Sequence, residues 1–168
     1  MVQQTVRLGF VGAGRFARSR LLPNFQAIPG VELVGVCNST EESGQRLARQ
    51  FGFGKVLADW HDLVRLPEID AVVIGTQPFL HAPITLAALD AGKHVFTVSP
   101  ISATLDEARA VVQKAQGAPH LRGLIYPGGF YLREDALMRR LLEEGYVGQI
   151  LQIFDFWHTP FFGLASQY

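Results

Sequence analysis

The chain has 168 residues, 48% of them hydrophobic and 18% charged, which is enough apolar material for one sizeable core and too little length for two full domains. Fifteen Lys plus Arg balance fifteen Asp plus Glu, so the charge argues against nucleic acid or an anionic membrane as the main partner. The single cysteine, Cys37, excludes an intramolecular disulfide framework and a Cys-rich metal site, and it fits a reducing, cytoplasmic setting. Neither a secretory start nor an apolar run of about 18 residues is present, so no membrane association is expected.

In chain order, the apolar run Val6–Val11 reads as a strand meeting a turn at Gly12, Ala13 and Gly14, and Arg15–Phe25 carries apolar residues at helical spacing. The pattern repeats. Val31–Cys37 reads as a strand, Glu41–Phe51 as a helix, Lys55–Leu57 as a short strand and Trp60–Leu66 as a small helix. Ala71–Gly75 shows no alternation, as expected of a central strand covered on both faces. A helix is expected from about Ala82 to Ala91 with Gly92 at its cap, then a strand at Val95–Val98. Thr104 and Glu107 have capping-box spacing, which starts a helix running to Gln116, and Leu121–Tyr126 completes the alternating series.

Such a series predicts an α/β fold: a Rossmann-like parallel sheet with helices on both faces, spanning 1–126. Residues 127–168 read as a truncated α+β extension, with a helix at Tyr131–Glu144 stopping at Gly145 and a strand at Ile150–Trp157. Six aromatics crowd Phe154–Tyr168, more than a lone strand buries. They pack on the main domain, or another chain or further sequence covers them, and Ile150–Trp157 is the preferred contact for a homo-oligomer or a related subunit.

Gly12-Ala13-Gly14-Arg15-Phe16-Ala17 lies between a strand and a helix, the context of a dinucleotide-binding loop. One glycine permits the tight turn, the next lets backbone approach a pyrophosphate, and a small third residue allows helix and strand to pack closely. Four arginines, Arg7, Arg15, Arg18 and Arg20, precede the first acid, Glu32. Arg15 is the better phosphate ligand, since Arg18 and Arg20 fit a solvated helix face. Asn38, Ser39 and Thr40 follow the second strand where a carboxylate would select an unphosphorylated ribose. Their donors favour NADP(H) over NAD(H), while Asn38 can still bond a plain ribose. Thr76, Gln77, Pro78 and His81 follow the fourth strand, at the carboxyl edge where such sheets bind ligands. Without an identified partner, His81 reads as a packing or helix-start residue rather than a proton donor. The five histidines have no zinc-site spacing, so no metal is expected.

VGAGRFARSRLLPNF, ELVGVCN, PEIDAVVIGTQPFLHAPITLAALDAGKHVFTVSP and LLEEGYVGQI together resemble the Gfo/Idh/MocA family of oxidoreductases. The resemblance implies an N-terminal domain binding NAD or NADP and a C-terminal α/β domain that contributes substrate contacts and oligomerises. It places Gly12, Gly14 and Ala17 on the pyrophosphate loop, Asn38 on the ribose-selecting position, and Thr76, Pro78 and His81 on the Thr-Pro and His positions. It also implies a Glu-Lys-Pro triplet after the fifth strand, where this chain has Val98-Ser99-Pro100. Ser99 can position cofactor or substrate but has no ammonium. The expectation is a dinucleotide-binding, oxidoreductase-like protein without autonomous catalysis. The alternatives are an NADP-dependent sugar or polyol dehydrogenase completed by another subunit, and a non-catalytic interaction protein.

Overall fold

The computed structural model describes residues 5–127, 135–152 and 154. They fall in two units, Met1–Gly128 and Gly129–Tyr168.

In the first unit six strands form one sheet: β1 (Val6–Val11), β2 (Val31–Cys37), β3 (Lys55–Leu57), β4 (Ala71–Ile74), β5 (His94–Val98) and β6 (Gly123–Tyr126). All neighbours pair in parallel, in the order β3-β2-β1-β4-β5-β6. The chain therefore works outward from β1 to one edge, returns beside β1 as β4, and works outward again. That reversal opens a crevice beyond the carboxyl ends of β1 and β4, which is where a Rossmann-type sheet receives its ligand.

Strand alternation divides the core in two. Leu8, Phe10 and Val73 face one layer with Leu22 and Phe25 of α1 (Leu22–Gln26) and Leu47 and Phe51 of α2 (Glu41–Phe51). Val11, Val72 and Ile74 face the other, with Leu63 and Val64 of α3 (Trp60–Arg65) and Ile84 and Ala88 of α4 (Pro78–Asp90). The register of β1 on β2 shifts between Leu8 and Gly9, so Leu33 and Val36 share a face although three positions apart. A bulge makes that possible, because one extra residue on a strand reverses the phase of all that follow.

Two helices differ from expectation. The stretch 15–26 is helical, but its middle, Ala17–Leu21, is a π-turn in which Leu22 N–H donates to Ala17 O, five residues back. Pro23 accounts for the widening: it has no N–H for the carbonyl four residues earlier, and its ring pushes that carbonyl aside. α4 starts at Pro78, a turn before the expected Ala82, because proline is preorganised for a first helical position. Its inner Pro83 and apolar circumference hide the helical period.

α5 (Leu105–Gln116) begins with the Thr104 and Glu107 capping box. β6 closes the sheet as an edge strand, with Leu124 and Ile125 exposed. An aromatic series crosses one sheet face, each ring 5.4 to 6.1 Å from the next: Phe53, Phe10, Phe25, Phe96, Tyr126 and Phe16.

In the second unit α6 (Asp135–Glu143) is followed by Gly145 at φ 72°. The expected first turn at 131–134 lies outside the described residues. Of the strand expected at Ile150–Trp157, residues 150–152 and 154 are exposed and lie in no strand, and the others lie outside the described residues. Among the described residues no helix is long and apolar enough to cross a membrane.

Candidate functional site

The loop after β1 is tied to both flanking strands: Gly12 N–H donates to Cys37 O and Gly75 N–H donates to Val11 O, each at 2.9 Å. Gly12 has φ +75°, and a Cβ there would stand 2.8 Å from the backbone of Thr76. A Cβ on Gly75 would stand 2.6 Å from Gly12 O. The two loops thus interlock through the absence of side chains. Gly14 is different, since a Cβ there would meet nothing within 4 Å and its φ is not positive. Nothing in the fold demands glycine at 14. Its open space lies at the start of the helix, where the first amides lack intrahelical carbonyls and a diphosphate is favoured.

Ala17 is buried at 3% exposure among Phe10, Leu21 and Leu22, the close packing that a small third residue permits. Arg15 and Phe16 stay at the surface. Together with Gly14, Thr76, Ser99 and Tyr126 they line a cleft of about 360 Å³. A larger trough of about 690 Å³ lies at the opposite, amino edge of the sheet. Its charged walls are satisfied locally, by Arg7 with Asp70 and Lys55 with Glu68, and it is remote from the glycine loop.

The residues after β2 are more committed than the sequence suggested. Asn38 Oδ1 accepts from Ala13 N–H at 3.2 Å and its Nδ2 donates to Ser43 Oγ at 2.9 Å. Asn38 therefore braces the glycine loop against α2. Thr40 is the N-cap of α2, its Oγ1 accepting from Ser43 N–H at 3.2 Å. Ser39 is exposed at the turn. Glu41 and Glu42 occupy the first turn of α2, and Glu42 pairs with Arg46 at 2.5 Å. Cys37, just before, is buried, and that burial with the nearby Asp59 charge pushes its thiol up to about 11. Hydrogen bonding from the His61 backbone and ring holds the Asp59 carboxyl below its usual range.

At the β4 and β5 ends, Thr76 is half-buried in the cleft wall, Gln77 is exposed at the N-cap of α4, and Pro78 is its first residue. Ser99 is exposed at the same cleft and its N–H donates to Tyr126 O at 2.9 Å. His81 does not line the cleft. It is 1% exposed behind the wall, with both ring nitrogens against main-chain carbonyls. The cleft-lining Tyr126 and Val98 were not picked out as site residues, because only strand pairing brings them beside the glycine loop. No group of three potential metal ligands occurs among the described residues.

A parallel sheet of this order, with a glycine loop at its switch point, defines a nucleotide-binding α/β domain. The family model of the Gfo/Idh/MocA proteins, described as an oxidoreductase family with an NAD-binding Rossmann fold, matches residues 6–122, and the chain belongs to this family. Among curated relatives, the 1,5-anhydro-D-fructose reductase of Ensifer adhaerens is 35% identical over 146 residues, covering 85% of this chain and 42% of that protein. Levoglucosan dehydrogenase of Pseudarthrobacter phenanthrenivorans is 29% identical over 160 residues, covering 88% and 40%. Among solved structures, scyllo-inositol dehydrogenase of Lactobacillus casei with bound NAD(H) and scyllo-inositol has a TM-score of 0.79 at 25% identity, covering 88% of this chain and 43% of that one. A 3-ketoreductase of Actinomadura kijaniata in complex with NADP and TDP-benzene gives 0.76 at 25% identity, covering 84% and 43%. The chain spans less than half the length of these relatives.

Proposed function

We propose that this chain binds NADP(H) or NAD(H) in the crevice between β1 and β4, as the dinucleotide-binding part of an oxidoreductase of the sugar and polyol type. The observation that carries this reading is the space at Gly14: a side chain would fit there without touching the protein, yet the position is glycine and faces the start of a helix at the sheet's switch point. The chemistry of the residues fits the group. Gly12, Gly14 and Ala17 would receive the pyrophosphate, with Arg15 and Phe16 at the cleft. Asn38, Ser39 and Thr40 would meet the adenosine ribose, and Thr76, Gln77, Pro78 and Ser99 the nicotinamide half. When bound, a nicotinamide dinucleotide supplies or accepts hydride.

This chain's own residues bind and orient. Asn38 holds the glycine loop in place through Ala13 N–H, and Thr40 and Ser39 offer hydroxyls with no carboxylate at 38 to repel a 2′-phosphate. That supports NADP(H) over NAD(H), and the Glu42 charge beside it is shared with Arg46. Ser99 occupies the position where the family resemblance places lysine, and its hydroxyl supplies no cation to a reacting oxygen. We therefore assign binding without autonomous catalysis to these residues. The similarity to the Ensifer reductase favours a second reading, in which a related subunit completes a sugar-reducing site.

Fluorescence titration of the purified chain with NADPH and NADH tests the binding, with micromolar affinity expected and NADPH the tighter. Absence of binding up to millimolar dinucleotide removes the reading. Reduction of a sugar ketone by the chain alone removes the non-catalytic part of it.

A further inference from the structure

We infer that His81 is a positioning residue that clasps together the β4 and β5 loops lining the nucleotide cleft and so sets their spacing; the inference rests on the dinucleotide reading above. His81 Nδ1 lies 2.5 Å from Pro100 O, and its Nε2 lies 2.9 Å from Thr76 O. The ring is 1% exposed, so water does not compete at either contact.

The two carbonyls belong to different loops. Thr76 follows β4 and Pro100 follows β5, and the β4–β5 register ends at Ile74 with Thr97. Past that point no ladder joins the loops, while Thr76 and Ser99 both line the same 360 Å³ cleft. The imidazole takes over where the sheet stops. It suits this task because its two polar atoms sit on different sides of a rigid ring, so one side chain reaches two main-chain oxygens without bending. A ring with one N–H donates to one loop at a time, and a ring with both N–H groups donates to both. A phenyl ring fills the same volume and leaves both carbonyls without a donor, a cost the loops relieve by moving apart. The adenosine half of the ligand, held near Asn38 and α2, lies outside this clasp.

That separation supplies the test, made on the full chain with His81→Phe and His81→Gln and two ligands, NADPH and 2′,5′-ADP. The Phe variant weakens NADPH binding about tenfold and 2′,5′-ADP binding less than about twofold, and the Gln variant, which keeps an amide donor, recovers part of the loss. A variant that only damages the fold weakens both ligands alike, and that result overturns the clasp, as does unchanged NADPH affinity in the Phe variant. Should the Phe variant not fold, the same ratio is read from the Gln variant, where a selective NADPH loss of at least about threefold supports the clasp and none overturns it. If the wild-type chain binds neither ligand, the dinucleotide reading has failed instead. The clasp is then read without ligand: faster amide exchange at Gln77 and Ile101 in the Gln variant supports it, and unchanged exchange overturns it.

Discussion

Gly12 and Gly14 receive the same substitution in the same loop and respond oppositely. At Gly12, alanine must hold φ +75°, which costs about 1–2 kcal/mol. Its Cβ would also stand 2.8 Å from Thr76 Cα and N, backbone atoms next to Gly75, whose N–H is held by Val11 O, and overpacking of this kind costs about 1–3 kcal/mol more. The sum of about 2–5 kcal/mol is a large part of a total stability of about 5–15 kcal/mol. At Gly14 the new methyl meets nothing within 4 Å and φ is not positive. Gly14→Ala is therefore neutral for folding, or stabilises by up to about 1 kcal/mol through a less flexible unfolded chain. In the proposed binding mode its methyl would take the place of a diphosphate oxygen, and NADPH affinity is expected to fall about 10- to 100-fold. Urea denaturation followed by circular dichroism measures the first quantity, and NADPH titration the second. A Gly14→Ala protein that binds as tightly as wild type refutes the placement of the phosphates, and a Gly12→Ala protein of undiminished stability refutes the interlock.

Asn38→Asp keeps the acceptor for Ala13 N–H but puts a charge where a 2′-phosphate would lie, so the ratio of NADPH to NADH affinity falls about tenfold or more; an unchanged ratio moves the ribose elsewhere. The Cys37 thiol, raised to about 11 by burial, does not react with a disulfide reagent at pH 8 in the native protein and reacts promptly in denaturant. The Arg7 guanidinium hydrogen-bonds Asp70 and holds its carboxyl below the usual range, so this contribution to stability is full above about pH 4 and is lost as pH falls through the native value. Asp70→Asn accordingly lowers the melting temperature at pH 7 and narrows its difference from wild type at pH 2–3, as thermal melts across that range will show. Phe10, fully buried and touching two other rings, costs about 3–5 kcal/mol when replaced by alanine, read from denaturant midpoints.

The alternation of strand and helix was legible because each buried strand is a dense apolar run, Ala71–Ile74 above all, and because Thr104 with Glu107 announces a helix start chemically. The glycine turn was legible for the same reason: its residue types have few other uses between a strand and a helix. The beginning of α4 was hidden, since a helix that is apolar nearly all round has no polar face to give it a period. The π-turn was hidden because Pro23 acts on carbonyls of the preceding turn. At the site, Gly14, Arg15, Phe16, Thr76 and Ser99 do come together at one cleft. His81 and Asn38 are better understood from their partners. Pro100, Ala13 and Ser43 reach them only in the folded chain, so residue type alone could suggest a polar role but not that the role is turned inward.

The meshing of Gly12 with Gly75 also constrains the order of events during synthesis. One half of the nucleotide seat leaves the ribosome early, but its opposing wall belongs to a strand that emerges much later and must slide in beside the first. Until β4 has docked, there is no crevice for a dinucleotide to enter. Cofactor added to a nascent chain ending before Thr76 therefore has nothing to stabilise, whereas the same addition after β5 is in place can trap the newly formed sheet.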